Sequence, residues 1–320
     1  MNNIKLPKSP LFRDPIYDGA ADPTIIWNRN EKSWWILYTN RRANVPCLGV
    51  AWCHGTDIGI ASSTDGGVNW VYRGIAEGLQ FEKGRNTFWA PEVIYNDGVY
   101  HMYLSYITGI QTSWVGQRNI IHYTSKDLWQ WNFESILDLS SKRVIDACIH
   151  KLPSGVWRMW YKDEGNNSHT YAADSIDLYN WEGVGPIITD CSHEGANVFY
   201  FKESYWMITD CWKGLGVYNS KDAINWTRRK NILDTEGART DDAAYGNHAD
   251  VLVQGGNAYI FYFTHPQRHI NTVVDHTPID SKWNYEQNRT SIQVAALEFI
   301  DGELKCDRDK PFEISLIIEE

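Results

Sequence analysis

An acidic or histidine residue opens an apolar strand, a short turn follows, and a strongly aromatic strand comes next; this pattern recurs five times along the chain. Repetition constrains the fold more than any other feature, because each copy must bury its apolar faces against its neighbours. The first copy reads Asp22-Pro-Thr-Ile-Ile-Trp27, then Trp34-Trp-Ile-Leu-Tyr-Thr39. The second reads Trp89-Ala-Pro-Glu-Val-Ile-Tyr95, turns at Asn96-Asp-Gly98, and continues from Val99 to Tyr106. Asn-Asp-Gly between two such runs signals a hairpin, since Asn, Asp and Gly tolerate positive φ. The third opens at Asp146 and the fourth at Glu194, while the fifth opens at His248 and turns at Gly255-Gly-Asn257. Glu92 is taken as the opening residue of the second copy.

Another element falls between these hairpins in the first four copies: Ser63-Thr-Asp65 before Trp70, Ser125-Lys-Asp127 before Trp131, Ser175-Ile-Asp177 before Trp181, and Ser220-Lys-Asp222 before Trp226. The Asp is expected to cap a turn between outer strands, and the Trp to pack between neighbouring sheets. Units of roughly fifty residues with about four short strands each describe propeller blades. The expected fold is therefore all-β, a single-domain five-bladed β-propeller over residues 1–320, with blades opening near 22, 92, 146, 194 and 248. The strand near Ile292 to Phe299 completes the fifth blade, and N-terminal residues close the ring.

Bulk properties narrow the partners. A net charge of −10 argues against nucleic acid and anionic membranes, because both need clustered Lys and Arg. Residues Met1 to Pro10 have no apolar stretch, and no run of 18 apolar residues occurs, so the expected location is cytoplasmic or periplasmic. Six scattered cysteines without CxxC spacing read as reduced thiols. Sixteen Trp and eighteen Tyr suit sugar-stacking surfaces as well as an aromatic core.

In a propeller the inner strands line a central channel, so the opening residues Asp22, Glu92, Asp146, Glu194 and His248 converge. Carboxylates brought together repel and are costly to desolvate, which points to chemistry rather than stability. Such crowding lets one carboxyl keep its proton while another stays ionised, as glycoside cleavage requires. Asp22 reads as the base, Glu194 as the acid, and Asp146 as the group that tunes or orients the acid.

At these residues the chain resembles the five-bladed propeller glycosidases of glycoside hydrolase families 43 and 117, over roughly residues 14 to 300. The motifs are Ala21-Asp-Pro-Thr-Ile-Ile26, Trp89-Ala-Pro-Glu-Val93, Val144-Ile-Asp146, Glu194-Gly-Ala196 and Gly246-Asn-His248. The resemblance implies general base Asp22, pKa modulator Asp146, general acid Glu194, and inversion at the anomeric carbon. It also implies that His248 lies beneath the site, holding water or a structural divalent cation in the channel, with no cofactor required. Ala147 and Asn247 depart from the family 43 pattern. His193 before Glu194 is a family 117 feature and makes His193 an alternative proton donor.

Candidate sugar contacts are Trp89, Glu92, Arg42, Trp52, His54 and His248, with Arg41 beside them on the long blade-one insert from Asn40 to His54. Asp210, Trp212, His265 and Arg268 end the second strands of blades four and five and are rim candidates. Asp241, Asp242 and His248 form a candidate metal cluster without a defined motif. The expected substrate is an oligosaccharide of plant or algal origin, cut exo-fashion from its non-reducing end. A glycoside phosphorylase using Arg41 and Arg42 for phosphate, or a non-catalytic sugar-binding propeller, fits the same fold. Sugar identity and oligomeric state are not encoded in these motifs.

Overall fold

The structure, a computed structural model, describes residues 6–270 and 283–317. Its strands form five antiparallel four-stranded sheets, each in sequence order or its reverse. Blade one holds β1 (Ala20–Asn28), β2 (Ser33–Asn40), β3 (Asp57–Ser63) and β4 (Val71–Ile75). Blade two holds β5 (Thr87–Asn96), β6 (Val99–Ile107), β7 (Asn119–Ser125) and β8 (Asn132–Ile136). Blade three holds β9 (Val144–Lys151), β10 (Trp157–Asp163), β11 (His169–Ser175) and β12 (Glu182–Ile188). Blade four holds β13 (Glu194–Phe201), β14 (Ser204–Asp210), β15 (Leu215–Ser220) and β16 (Thr227–Arg228). Blade five holds β17 (Asn247–Gln254), β18 (Asn257–Thr264), β19 (Ser291–Ile300) and β20 (Glu303–Lys305). The arrangement is the five-bladed β-propeller read from the repeats.

Apolar packing lies between blades. Trp35 and Leu37 of blade one pack with Phe88 and Met102 of blade two. Equivalent clusters join blades two and three through Tyr103 and Met159, three and four through Trp160 and Met207, and four and five through Ile208 and Ile260. The fifth cluster closes the ring, with Trp34 and Ile36 against Phe261 and Val294. Both chain ends reinforce that seam: Phe12 exchanges backbone hydrogen bonds with Ile292, and the Leu316 N–H donates to Gly66.

The local signals act as read. Asp97 and Gly98, at φ 48° and 81°, form the two-residue turn between β5 and β6. In all four Ser-x-Asp turns the Ser hydroxyl donates to the Asp carboxylate, which caps the following N–H groups. The turn tryptophans reach the preceding blade, Trp70 against Phe261, Trp181 against Tyr103 and Trp226 against Trp160. All six cysteines are free. No helix among the described residues is long and apolar enough to cross a membrane.

Candidate active site

Every inner strand slips its pairing near one end of the channel. The irregularities fall between Ala21 and Thr24, Trp89 and Glu92, Glu194 and Asn197, and Asn247 and Ala249, and in β9 around Asp146. A bulge re-aims the residue it contains. Here it holds Asp22, Ala90, Asp146 and Gly195 at φ 50°, 44°, 58° and 57°. Left-handed backbone costs a residue with a side chain about 1–2 kcal/mol, so Asp22 and Asp146 are held in place by their surroundings.

The bulges revise the register read from sequence. Asp22-Pro23 matches Ala90-Pro91, so Glu92 sits deeper, at the level of Thr24. Glu194 lies one residue before its bulge, which Gly195 occupies. A Cβ on Gly195 would come within 2.7 Å of the His248 ring, so the backbone must pass the imidazole without a side chain.

Around His248 the site gathers four carboxyls and two bonded cations. Arg41 Nη2 donates to both oxygens of Asp22, at 3.0 and 3.1 Å, and His248 Nδ1 lies 3.7 Å from Asp22 Oδ1. Asp146 accepts the Gly195 N–H at 3.2 Å, while its own N–H donates to Ser105. Lys162 Nζ donates to Glu194 Oε2 at 2.8 Å. Asp210 accepts the N–H groups of Trp212 and His248 at 2.7 and 2.9 Å.

These neighbours separate the carboxyls. Burial, joined by the Glu194 charge and opposed by His248, pushes Asp146 up to about 6. Burial and the Glu194 charge push Asp210 up to about 7. Burial would also raise Glu194, but Lys162 outweighs it and holds the group down at about 2. Burial works against charge on His248, yet Asp146, Asp22 and Glu194 together raise its pKa above the ordinary histidine value. Asp210 and, less so, Asp146 are thus shifted toward holding a proton near neutrality and His248 toward its charged form, while Glu194 is ionised.

Other sequence candidates take different places. His193 is fully buried, with Nε2 on Thr170 Oγ1 at 2.6 Å and Nδ1 on the Cys191 carbonyl at 2.9 Å, so both ring nitrogens are committed to holding the strand entry. Burial lowers its pKa, which opposes the protonated form a donor needs. Arg42 donates to the carbonyls of His54 and Ala51 and shapes the insert; its neighbour Arg41 is the one that reaches the site. His54 is buried against Trp89, with burial pushing its pKa down to about 4. Trp89 donates Nε1–H to the Cys53 carbonyl at 2.6 Å. The guanidiniums of Arg41 and Arg268 both approach the Trp52 ring, at 5.9 and 5.7 Å, and Trp52 packs edge-on against His265. Trp212, at φ 58° and 46% exposed, offers an open indole beside Lys162.

Glu92 belongs to a belt lower in the channel rather than to a sugar pocket. Glu92 accepts the Ile149 N–H, Cys148 that of Val198, Asn197 that of Val251, and Asp250 that of Ile25. Each side chain thus bonds the inner strand of another blade. Burial raises the pKa of Glu92, helped by the charge of Asp250, and burial raises Asp250 as well. Glu92, Asp250 and Asn197 spend oxygens on these backbone bonds, and among the described residues they do not form with His248 a close group of His, Cys, Asp or Glu donors for a metal ion. Asp241 and Asp242 form no metal site either, because Arg289, Arg239 and Arg308 pair with them. The trio Asp190, Cys191 and His193 also fails, since the His193 ring is spent on Thr170 and Cys191.

Lys162 and Ser105 were not among the candidates read from the sequence, which took second-strand ends only from blades one, four and five. Both sit where second strands reach the mouth, as do Asp210 and Arg41. The available signal was a Lys near the end of the aromatic run Trp157–Asp163, a run buried from Arg158 onward.

No protein-family model and no curated protein matches the chain. Solved structures do. A thermostable family-43 glycoside hydrolase aligns at TM-score 0.67 and 18% identity, over 95% of this chain and 99% of that one. A GH43 β-1,3-galactosidase bound to galactodeoxynojirimycin aligns at 0.65 and 17%, over 97% and 99%. A GH43 β-xylosidase/α-arabinofuranosidase from a compost microbial metagenome, in complex with xylotriose, aligns at 0.63 and 15%, over 96% and 98%. Along nearly its whole length the chain has the propeller fold of these GH43 glycosidases.

Proposed function

We propose that this chain is an exo-acting glycoside hydrolase that cleaves the terminal sugar of an oligosaccharide with inversion. The observation that carries the reading is the convergence of Asp22, Asp146 and Glu194 on His248 from three different blades. Nothing in propeller stability calls for charged groups desolvated together, whereas acid–base cleavage of an acetal does.

In this mechanism Asp22 is the base. Arg41 fixes both of its oxygens, which leaves Asp22 aimed to accept a proton from the attacking water. Glu194 protonates the departing oxygen. In the free enzyme Lys162 holds Glu194 ionised, so the exchangeable proton rests mainly on Asp210, raised to about 7, and in smaller part on Asp146, raised to about 6. A leaving group seated against Lys162 Nζ weakens its grip on Glu194 and lets the shared proton move there. Asp210 faces Glu194 across the β13–β14 pairing, and Asp146, through the Gly195 N–H, sets the backbone beside the acid. Trp212 is the exposed aromatic face available for stacking a sugar ring, whereas Trp89 is buried among His54, Trp114 and Arg118.

The test is turnover of α-L-arabinofuranosides, β-xylosides, galactosides and 3,6-anhydro-L-galactosides by the wild type and by Asp22→Asn. Release of a monosaccharide that disappears in the variant supports the reading. Saturable binding of an oligosaccharide that the wild type never cleaves, with or without phosphate, replaces it with a sugar-binding propeller.

A further inference from the structure

Among the described residues most buried and half-buried cations are matched by carboxylates; Arg42 spends its donors on backbone carbonyls instead, and Arg268, near the site, keeps part of its fork free. Arg118 pairs with Glu164, Arg158 with Asp174, Arg289 with Asp241, Arg308 with Asp242, and Arg41 with Asp22. Arg268 donates Nε–H to the Gln287 carbonyl at 2.7 Å, and its two Nη groups have no partner among the described residues. Its guanidinium lies 5.7 Å from the Trp52 ring, which Arg41 approaches at 5.9 Å. Two guanidiniums therefore share one indole, and the Asp22 carboxylate is engaged by Arg41, while among the described residues no carboxylate pairs with Arg268. Burial and the Arg41 charge bring the Arg268 pKa down to about 10, the direction expected for a cation short of a counter-charge. His265, edge-on to the same Trp52, is neutral for the same reasons and offers no negative charge.

A half-buried guanidinium with both Nη groups unspent is a fork shaped for a planar or tetrahedral oxyanion. Its cost is offset only when an anion arrives, so the anion has to come with the ligand. We propose that Arg268, with Arg41 against the same Trp52 ring, forms an oxyanion subsite beside Asp22 that recognises a carboxylate or sulfate ester on the substrate's terminal sugar. The proposal rests on the hydrolase reading above and narrows it from neutral sugars to uronides or sulfated glycosides. Trp52 provides the floor on which the ring and the two guanidiniums meet, and Arg41 links the subsite to the base.

The experiment compares kcat/KM for matched aryl galactosides, galacturonides and 6-sulfated galactosides, in the wild type, Arg268→Ala and Arg268→Lys. Thermal shifts with free galacturonate and galactose 6-sulfate run in parallel. The wild type is expected to prefer one anionic substrate at least tenfold, and which one identifies the oxyanion. In Arg268→Ala the ratio of anionic to neutral turnover falls by about 10–100-fold, as loss of a charge-assisted pair implies, and Arg268→Lys recovers part of it. A wild type that cleaves neutral glycosides as well as their anionic counterparts overturns the subsite and leaves the hydrolase reading standing. Anion-dependent stabilisation that Arg268→Ala abolishes, without cleavage of any substrate, supports the subsite and removes the hydrolase. Phosphate-accelerated cleavage of neutral substrates that needs Arg268 overturns the substrate-borne anion in favour of phosphate itself.

Discussion

Lys162 Nζ sits 2.8 Å from Glu194 Oε2, so the carboxyl proposed as proton donor is tied to a cation in the free enzyme. The pair turns the donor into a group whose protonation depends on what fills the site. Replacing Lys162 with Met releases Glu194 toward higher pKa. The basic limb of the kcat/KM profile then moves upward in pH, read by initial rates from pH 4 to 9. An unchanged limb would detach Lys162 from the donor.

The same pair sets a stability difference with a defined sign. Glu194 has its pKa depressed from 4.5 to about 2, so its contribution to folding is present above the unfolded value and fades as pH falls toward the folded one. Thermal melts should place the wild type above Lys162→Met at pH 6, with the gap closing between about pH 4.5 and 2. A gap that is constant across this range points to packing instead.

Acid and base should separate by leaving group. Asp22→Asn should lose about 10²–10⁴-fold on every substrate, since activated aryl groups still need a water to attack. Glu194→Gln should lose a similar factor on an oligosaccharide but far less on a dinitrophenyl glycoside, which departs without protonation. Parallel losses on both substrates would contradict the division of roles.

His193 tests the alternative donor. With Nε2 on Thr170 and Nδ1 on the Cys191 carbonyl, His193→Phe should cost about 1–3 kcal/mol of stability by stranding those partners. The pH profile of the folded enzyme should keep its shape. Loss of the basic limb with an unaltered melting temperature would restore His193 as donor.

How far the sequence could be read follows from where its signals are local. The turn at Asp97-Gly98 and the Ser-x-Asp caps are complete within a few residues, and they marked the blades correctly. Asp22 and Asp146 stand out because each opens an apolar strand. The two-residue bulge is a property of pairing across strands, and no composition announces it, so Glu92 was aligned with Asp22 when Ala90 is its true counterpart. Arg41 and Arg42 are adjacent, and only the path of the insert decides that Arg41 meets Asp22 while Arg42 turns to backbone carbonyls. Lys162 was hidden for a similar reason, since its meaning depends on a carboxyl 32 residues away.

The most direct test of the account follows the first turnover of a cleaved substrate by proton NMR, before the free sugar mutarotates. An acid and a base that act through a single displacement predict product first appearing as the anomer opposite to the substrate, in the wild type and not in Asp22→Asn. Product that first appears with the substrate's own anomeric configuration would make a carboxylate the nucleophile and contradict the roles given to Asp22 and Glu194.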